Sequence, residues 1–253
     1  MYESFSADYD RFVDWPSRLA AELPFIEQEL ETMETRRVLD AACGTGMHAI
    51  ALAQRGYDVV GADLSQGMVE RAQANAADAA VEVRFEAAGF GELSAKVGTG
   101  FDAVLCLGNS LPHVLTSADL AAALDDFAAC LRPGGLLMIQ NRNFDRVLTR
   151  HERWMEPQAH QEGELDWLFL RFYDFGPDGR LAFNVVTLRR EGGGDWSQQV
   201  TSTPLWPLTQ AKLIEALDAA GFDELTCWGD MGGTPFDPET SPNLVTTARG
   251  PEP

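Results

Sequence analysis

Lysine is nearly missing from this chain: Lys96 and Lys212 are the only two, and the rest of the basic side chains are arginines. Acidic residues outnumber basic ones 39 to 19, for a formal charge of −20. With no local basic patch, such a surface repels phosphate backbones and anionic membranes, which excludes nucleic acid and lipid as natural partners. No apolar run approaches the roughly eighteen residues of a membrane span. Met1 to Asp10 holds acidic and aromatic residues where a signal peptide needs a basic start and an apolar stretch, so a soluble, cytoplasmic protein is expected. Cysteine is also scarce. Cys43, Cys106, Cys130 and Cys227 form no C-x-x-C pair and have no histidine at zinc spacing, which argues against disulfides and structural metal. A small neutral, zwitterionic or modestly charged molecule remains as the partner.

What is present reads as one α/β core with an added lobe, the upper end of single-domain size for 253 residues. Apolar residues at helical spacing over Pro16 to Glu34 predict a leading helix, followed by a strand at Arg37 to Asp40. A helix to Arg55, a glycine stop at Gly56 and a strand from Asp58 to Asp63 complete a βαβ unit. The alternation continues with a helix from about Gly67 to Ala77, strands at Val81 to Phe85 and Phe101 to Leu107, a helix at Ala118 to Leu131 and an apolar strand at Gly135 to Ile139. This order predicts a doubly wound, seven-stranded, mostly parallel Rossmann-like sheet. Between Arg153 and Thr203 the pattern becomes aromatic and turn-punctuated: Leu165 to Phe175, Arg180 to Arg190 and Asp195 to Thr201 predict an inserted antiparallel β lobe. A helix at Thr209 to Ala220 and strands at Leu225 to Trp228 and Leu244 to Ala248 return to the core. The expected units are an N-terminal helical segment (1–36), the core (37–150), the lobe (151–204) and closing elements (205–253).

The first strand runs into Asp40-Ala41-Ala42-Cys43-Gly44-Thr45-Gly46 just before a helix. Glycines there let backbone approach a ligand closely, and Asp63, seventeen residues on at the end of the second strand, suits the two hydroxyls of a ribose. A nicotinamide dinucleotide calls for a third glycine where Ala49 stands, and Asp40 repels a pyrophosphate. A carboxylate suits the ammonium of a methionyl tail instead, directly or through water, which points to S-adenosylmethionine as cofactor and S-adenosylhomocysteine as product.

Val38 to Gly46, Asp63, Phe101 to Ser110 with His113, Leu131 to Leu136 and Arg142-Asn143-Phe144-Asp145 together resemble the glycine and sarcosine N-methyltransferases over roughly residues 14 to 148. The resemblance implies a methyltransferase whose Arg18 pairs with the donor's carboxylate. It further implies that Ala42, Gly44, Gly46 and Leu64 line the donor and that Met68 packs on the adenine. Gly89 and Phe90 then stand at the adenine edge, where the family has an asparagine and a tryptophan. Leu107 and Ser110 fall near the donor with His113. Asn109 and Arg142 face the amino acid being methylated, Arg142 holding its carboxylate, and Tyr9 lies near an N-terminal tyrosine that reaches the family's active site.

Read as residues alone, Arg142 has a competing explanation, an internal salt bridge to Asp145 or Glu152, and His113 another, as a loop cap. Two departures concern the acceptor. The chain starts about a dozen residues before Asp14, short of the family's longer N-terminal arm, and the tyrosine expected on the lobe is replaced by Thr187 or Leu188. The lobe's Trp154, Trp167, Phe169, Phe172, Tyr173 and Trp196 could close over the acceptor or form the lobe's own core. A small-molecule O- or C-methyltransferase of natural-product or quinone type, or a non-catalytic donor-binding protein, are the alternatives. A monomer or small homo-oligomer is expected.

Overall fold

A computed structural model describes residues 9–32 and 35–252. After a helical turn at residues 9–12, the core elements are α1 (Trp15–Glu31), β1 (Arg37–Ala41), α2 (Met47–Ala53), β2 (Asp58–Asp63), α3 (Gln66–Asp78), β3 (Arg84–Ala87), α4 (Leu93–Val97), β4 (Phe101–Cys106), a 3-10 turn (Leu111–His113), α5 (Ser117–Cys130), β5 (Leu131–Arg142) and α6 (Phe144–Arg150). A second sheet follows: β6 (Gln158–Glu162), β7 (Leu165–Phe175), β8 (Leu181–Glu191) and β9 (Ser197–Leu205). The chain then closes the first sheet with α7 (Gln210–Ala219), β10 (Asp223–Trp228) and β11 (Asn243–Arg249).

The seven-stranded sheet has the order β10-β11-β5-β4-β1-β2-β3, with β11 antiparallel to both of its neighbours and every other pair parallel. The expected doubly wound fold is therefore present. One face packs α1, α2 and α3 through Ile26, Leu30, Leu52 and Ala72; the other packs α4, α5 and α7 through Leu93, Leu124, Phe127 and Leu213. Both layers bury the sheet's apolar side chains, the reason its strands read as nearly continuous hydrophobic runs. The turn-back of strand order lies between β1 and β4, so the loops after β1, β2, β4 and β5 open at one carboxyl edge.

Several boundaries differ from the sequence reading. Strand β3 begins at Arg84 rather than Val81, because Val81 N–H still closes the end of α3 on the Ala76 carbonyl and Ala80 adopts φ +53°. Helix α5 ends at Cys130; Leu131 already pairs with Phe101, and β5 absorbs Pro133-Gly134 through a register shift and continues to Arg142. Strand β9 is displaced to Ser197–Leu205 by its full pairing with β8, and β6 was not anticipated, since Gln158–Glu162 has no apolar alternation and holds its place through pairing with β7. Cys43, Cys106 and Cys130 are buried and Cys227 is half-buried, all four as free thiols.

The four-stranded antiparallel sheet lies beside the carboxyl edge of the core. Phe144 and Val147 of α6 pack against Tyr173, Leu181 and Leu205, while Trp167, Phe169 and Val185 pack against Tyr9 and Phe12 of the leading turn. Trp206 N–H donates to the Pro112 carbonyl and Arg180 Nη2 to that of Leu115, which tie the second sheet to the loop after β4. Trp154 and Trp196 remain exposed, so the lobe's aromatic core is narrower than its composition suggests.

Candidate active site

The loop after β1 turns three times through the left-handed region, at Ala42 (φ +66°), Gly44 (φ +56°) and Gly46 (φ +79°). Gly46 has a second constraint. A Cβ there would come within 2.8 Å of the Phe85 ring and 2.9 Å of Ala72, so glycine alone permits the loop to sit against β3 and α3. The Asp63 carboxylate at the end of β2 accepts the Gly44 N–H at 2.9 Å through Oδ2 and the Ser65 N–H at 2.9 Å through Oδ1. Burial raises its ionisation above the ordinary aspartate value, with the two N–H donors opposing. Asp63 therefore fixes the loop and still presents acceptor lone pairs to a ligand.

Above this loop is a cavity of about 630 Å³. Ten of the residues singled out in the sequence line it: Tyr9, Ala42, Gly44, Asp63, Leu64, Met68, Gly89, Phe90, Ser110 and His113. Its walls are chemically divided. Leu64, 79% exposed, Met68, Ala88 and Phe90 make an apolar slot on the α3 and β3 side, with the Phe90 ring braced edge-on against Phe127. Gly89 keeps that slot open, because a Cβ there would meet Leu64 Cδ1 at 3.0 Å. On the other side Ser110 Oγ donates to the Leu107 carbonyl, and burial pushes the His113 imidazole down to about 4, so it is neutral at neutral pH.

Neither Arg18 nor Asp40 lines the cavity. Arg18 spends its Nε edge on Glu22, at 3.1 Å, and its Nη2 donates to Gln140 Oε1 at 3.3 Å and lies against Gly108, which does line the cavity. Glu22 also meets His48 Nε2 at 2.7 Å and accepts from Gln140 Nε2 at 2.9 Å. Burial alone would raise the Glu22 carboxyl, but the His48 hydrogen bond and the Arg18 charge hold it down to about 2. Gln140 Oε1 completes the network by accepting the Gly108 N–H. Asp40 is 2% exposed, its Oδ2 has no donor, and burial pushes its carboxyl up to about 6. A buried acceptor without a donor fits a cationic group arriving in the cavity above, directly or through water.

Asn109 and Arg142 do not line the cavity; they stand in the loop after β4 and at the end of β5. Asn109, at φ +67°, accepts the Arg142 N–H through Oδ1 at 3.0 Å, locking the ends of β4 and β5. Neither internal partner considered for Arg142 is engaged with it: Glu152 pairs with Arg146 at 3.0 Å, and Asp145 Oδ2 accepts the Gln210 N–H at the start of α7. Arg142 Nε is buried without an acceptor. Within the same motif, Asn143 and Asp145 are architectural: the Asn143 side chain caps α6 through the Arg146 N–H and donates to the Pro238 and Ser241 carbonyls.

Sequence reading did not single out Gly108, Gln140, Glu22, Asp10 or Arg171. Gln140 had a signal, as the first polar residue directly after the apolar run Leu136 to Ile139, and Arg171 another, a charge on the same alternate face as Trp167, Phe169 and Tyr173. Glu22 and Asp10 had none, since each acts through contacts far away in sequence.

A methyltransferase-domain family model matches residues 38–135. A glycine/sarcosine N-methyltransferase of Parasynechococcus marenigrum is 40% identical over 232 residues, 90% of this chain and 77% of that protein. A protein of the same name from Halorhodospira halochloris is 36% identical, over 75% of this chain and 74% of its own. In structure, a S-adenosylmethionine-dependent methyltransferase from Clostridium acetobutylicum is similar, with a TM-score of 0.79 at 16% identity over 99% of each chain.

Proposed function

We infer the reaction from one premise: this chain belongs to the glycine/sarcosine N-methyltransferase family. It is a S-adenosylmethionine-dependent methyltransferase, and its acceptor is a small amine that carries a carboxylate, glycine, sarcosine or a close relative. The observation that carries the acceptor assignment is the buried, unpartnered Nε of Arg142 at the carboxyl edge of the sheet. A guanidinium there calls for an anion, and no internal carboxylate supplies one among the described residues.

The roles of the chain's own residues follow from chemistry and position. Asp63, already anchored by two N–H groups, takes the ribose hydroxyls, and Leu64, Met68 and Phe90 enclose the adenine, with the Gly89 backbone at its edge. Arg18 offers its Nη edge to the donor's carboxylate, steered by Glu22 and Gln140. Asp40 answers the donor's ammonium. When bound, S-adenosylmethionine supplies an electrophilic methyl group on a sulfonium. Arg142 holds the acceptor's carboxylate, and Asn109 sets the Arg142 backbone and aims the amine. Tyr9 and His113 close the cavity from opposite sides and exclude water. Attack by a neutral amine on a sulfonium disperses charge, so orientation and desolvation are the main demands on the protein, and no strong base is required.

Residues 151–204, which carry the second sheet, act as a cap over the substrate, and the enzyme works as a monomer or small homo-oligomer. No described helix is long and apolar enough to cross a membrane. Four free cysteines accord with a reducing cytoplasm. The test is methyl transfer from labelled donor to sarcosine by wild type and Arg142→Ala. Loss of about two orders of magnitude in kcat/KM with donor affinity retained is expected, the scale of a buried charge-assisted pair. Unchanged activity in the variant would overturn the acceptor assignment.

A further inference from the structure

Strand β7 presents Trp167, Phe169, Arg171 and Tyr173 along one face, and the three aromatic residues are at most 3% exposed. Arg171 is the charged exception in this apolar row. It stands opposite Val185 of β8, with its guanidinium carbon 4.8 Å from the centre of the Phe12 ring. Its Nε is buried and has no acceptor, the same condition as Arg142 Nε. The two side chains come from different sheets, which meet where Tyr173, two residues beyond Arg171, packs on Phe144, two residues beyond Arg142, with ring centres 6.2 Å apart; burial lowers the ionisation of Arg171 and the Arg142 charge lowers it further. Both also act on the hydroxyl of Tyr173. Neither arginine forms an ion pair with an aspartate or glutamate among the described residues. Nearby carboxylates are committed elsewhere, Glu152 to Arg146 and Asp174 to Arg153. Two guanidiniums brought together without a counter-ion destabilise the free protein and become favourable only when an anion enters between them.

We propose that Arg171 is a second ligand of the acceptor's carboxylate, delivered by the cap sheet to face Arg142 of the core, so that the anion subsite is complete only where the two sheets meet. This rests on the carboxylate-bearing acceptor proposed above. A carboxylate has two oxygens and about four lone pairs, enough to accept from one guanidinium on each side. The cap thereby reads the acceptor's charge as well as covering it.

The experiment compares wild type, Arg171→Gln and Arg171→Met on sarcosine and on its uncharged amide, with donor binding by calorimetry and thermal unfolding without ligand. Both variants should raise KM for sarcosine about 10- to 100-fold, the range for losing hydrogen bonds to a charged group, with donor affinity unchanged. Turnover of the amide should stay within about twofold, because it offers no carboxylate to lose. Arg171→Met should unfold at the same temperature as wild type or higher, since it removes a half-buried charge with no carboxylate partner, whereas loss of a structural arginine would lower it. A wild type that discriminates sarcosine from its amide while both variants match it would overturn the role of Arg171 alone. Equal loss on both acceptors, or variants that fail to fold or bind donor, would show a structural role and overturn it as well. A wild type that methylates the amide as readily as sarcosine would overturn the carboxylate reading and this proposal together.

Discussion

Asp40 at the end of β1 and Gly46 in the loop after it illustrate how single residues of the proposed donor site trade stability against binding. The Asp40 carboxyl, pushed up to about 6 by burial from an ordinary 3.8, is more easily kept protonated in the folded chain than in the unfolded one. Its linked stability is therefore fully present below about pH 4 and is lost as pH rises through about 6, a total on the order of 3 kcal/mol. Asp40→Asn should accordingly be more stable than wild type at pH 8 by denaturant unfolding, with the gain gone at pH 4. Donor affinity should run the other way, rising in wild type as pH climbs through about 6 and weaker in the variant at pH 8, by calorimetry. Gly46→Ala is expected to lose about 2 kcal/mol or more, from positive φ and contact with Phe85 and Ala72, read as a lower urea midpoint. Asp63 and the glycines were legible in sequence because their spacing follows from local strand-turn-helix geometry. Gln140 and Glu22 escaped because their partners lie on other elements, 118 positions apart from each other.

The helical turn at residues 9–12 is held to the core by one side chain, Asp10, and to the second sheet by Tyr9 and Phe12. Asp10 accepts from Trp15 Nε1, Thr45 Oγ1, Arg71 Nε and Asn75 Nδ2, which clasps the turn to the glycine loop and α3 at once. The same turn carries Tyr9 over Gly44 and Phe12 edge-on to Phe169 of the cap. Asp10→Ala should free it: faster amide hydrogen exchange over residues 9–13 and a donor affinity about tenfold weaker, with the sheet's exchange unchanged. Unaltered exchange there would contradict the clasp. Elements of this kind are hard to read from sequence. Core helices and strands announce themselves by apolar periodicity, as α1, α5 and β4 did, whereas β6 exists through pairing with β7 and the 9–12 turn through Asp10.

At the scale of the whole molecule, two sheets of different construction divide the work. The mostly parallel sheet brings its loops to one edge, where they line the cavity proposed for the donor, and the antiparallel sheet packs beside that edge through α6 and the leading turn. The fold class was readable because alternation of strand and helix predicts a parallel sheet, and the aromatic hairpins predict the second. The relative placement of the sheets was not readable, since it depends on α6 and the leading turn packing against the cap. The formal charge of −20 adds a global repulsion, so the unfolding temperature should rise between low ionic strength and about 1 M salt, where the screening length falls to roughly 3 Å. A flat or falling curve would show that local ion pairs outweigh the net charge.

The most direct test of the central claim is the wild-type kcat/KM for sarcosine against its uncharged amide under saturating S-adenosylmethionine. Preference for the carboxylate by about 100-fold or more is expected, the worth of a guanidinium left without its anion. Equal values for the two acceptors would contradict it.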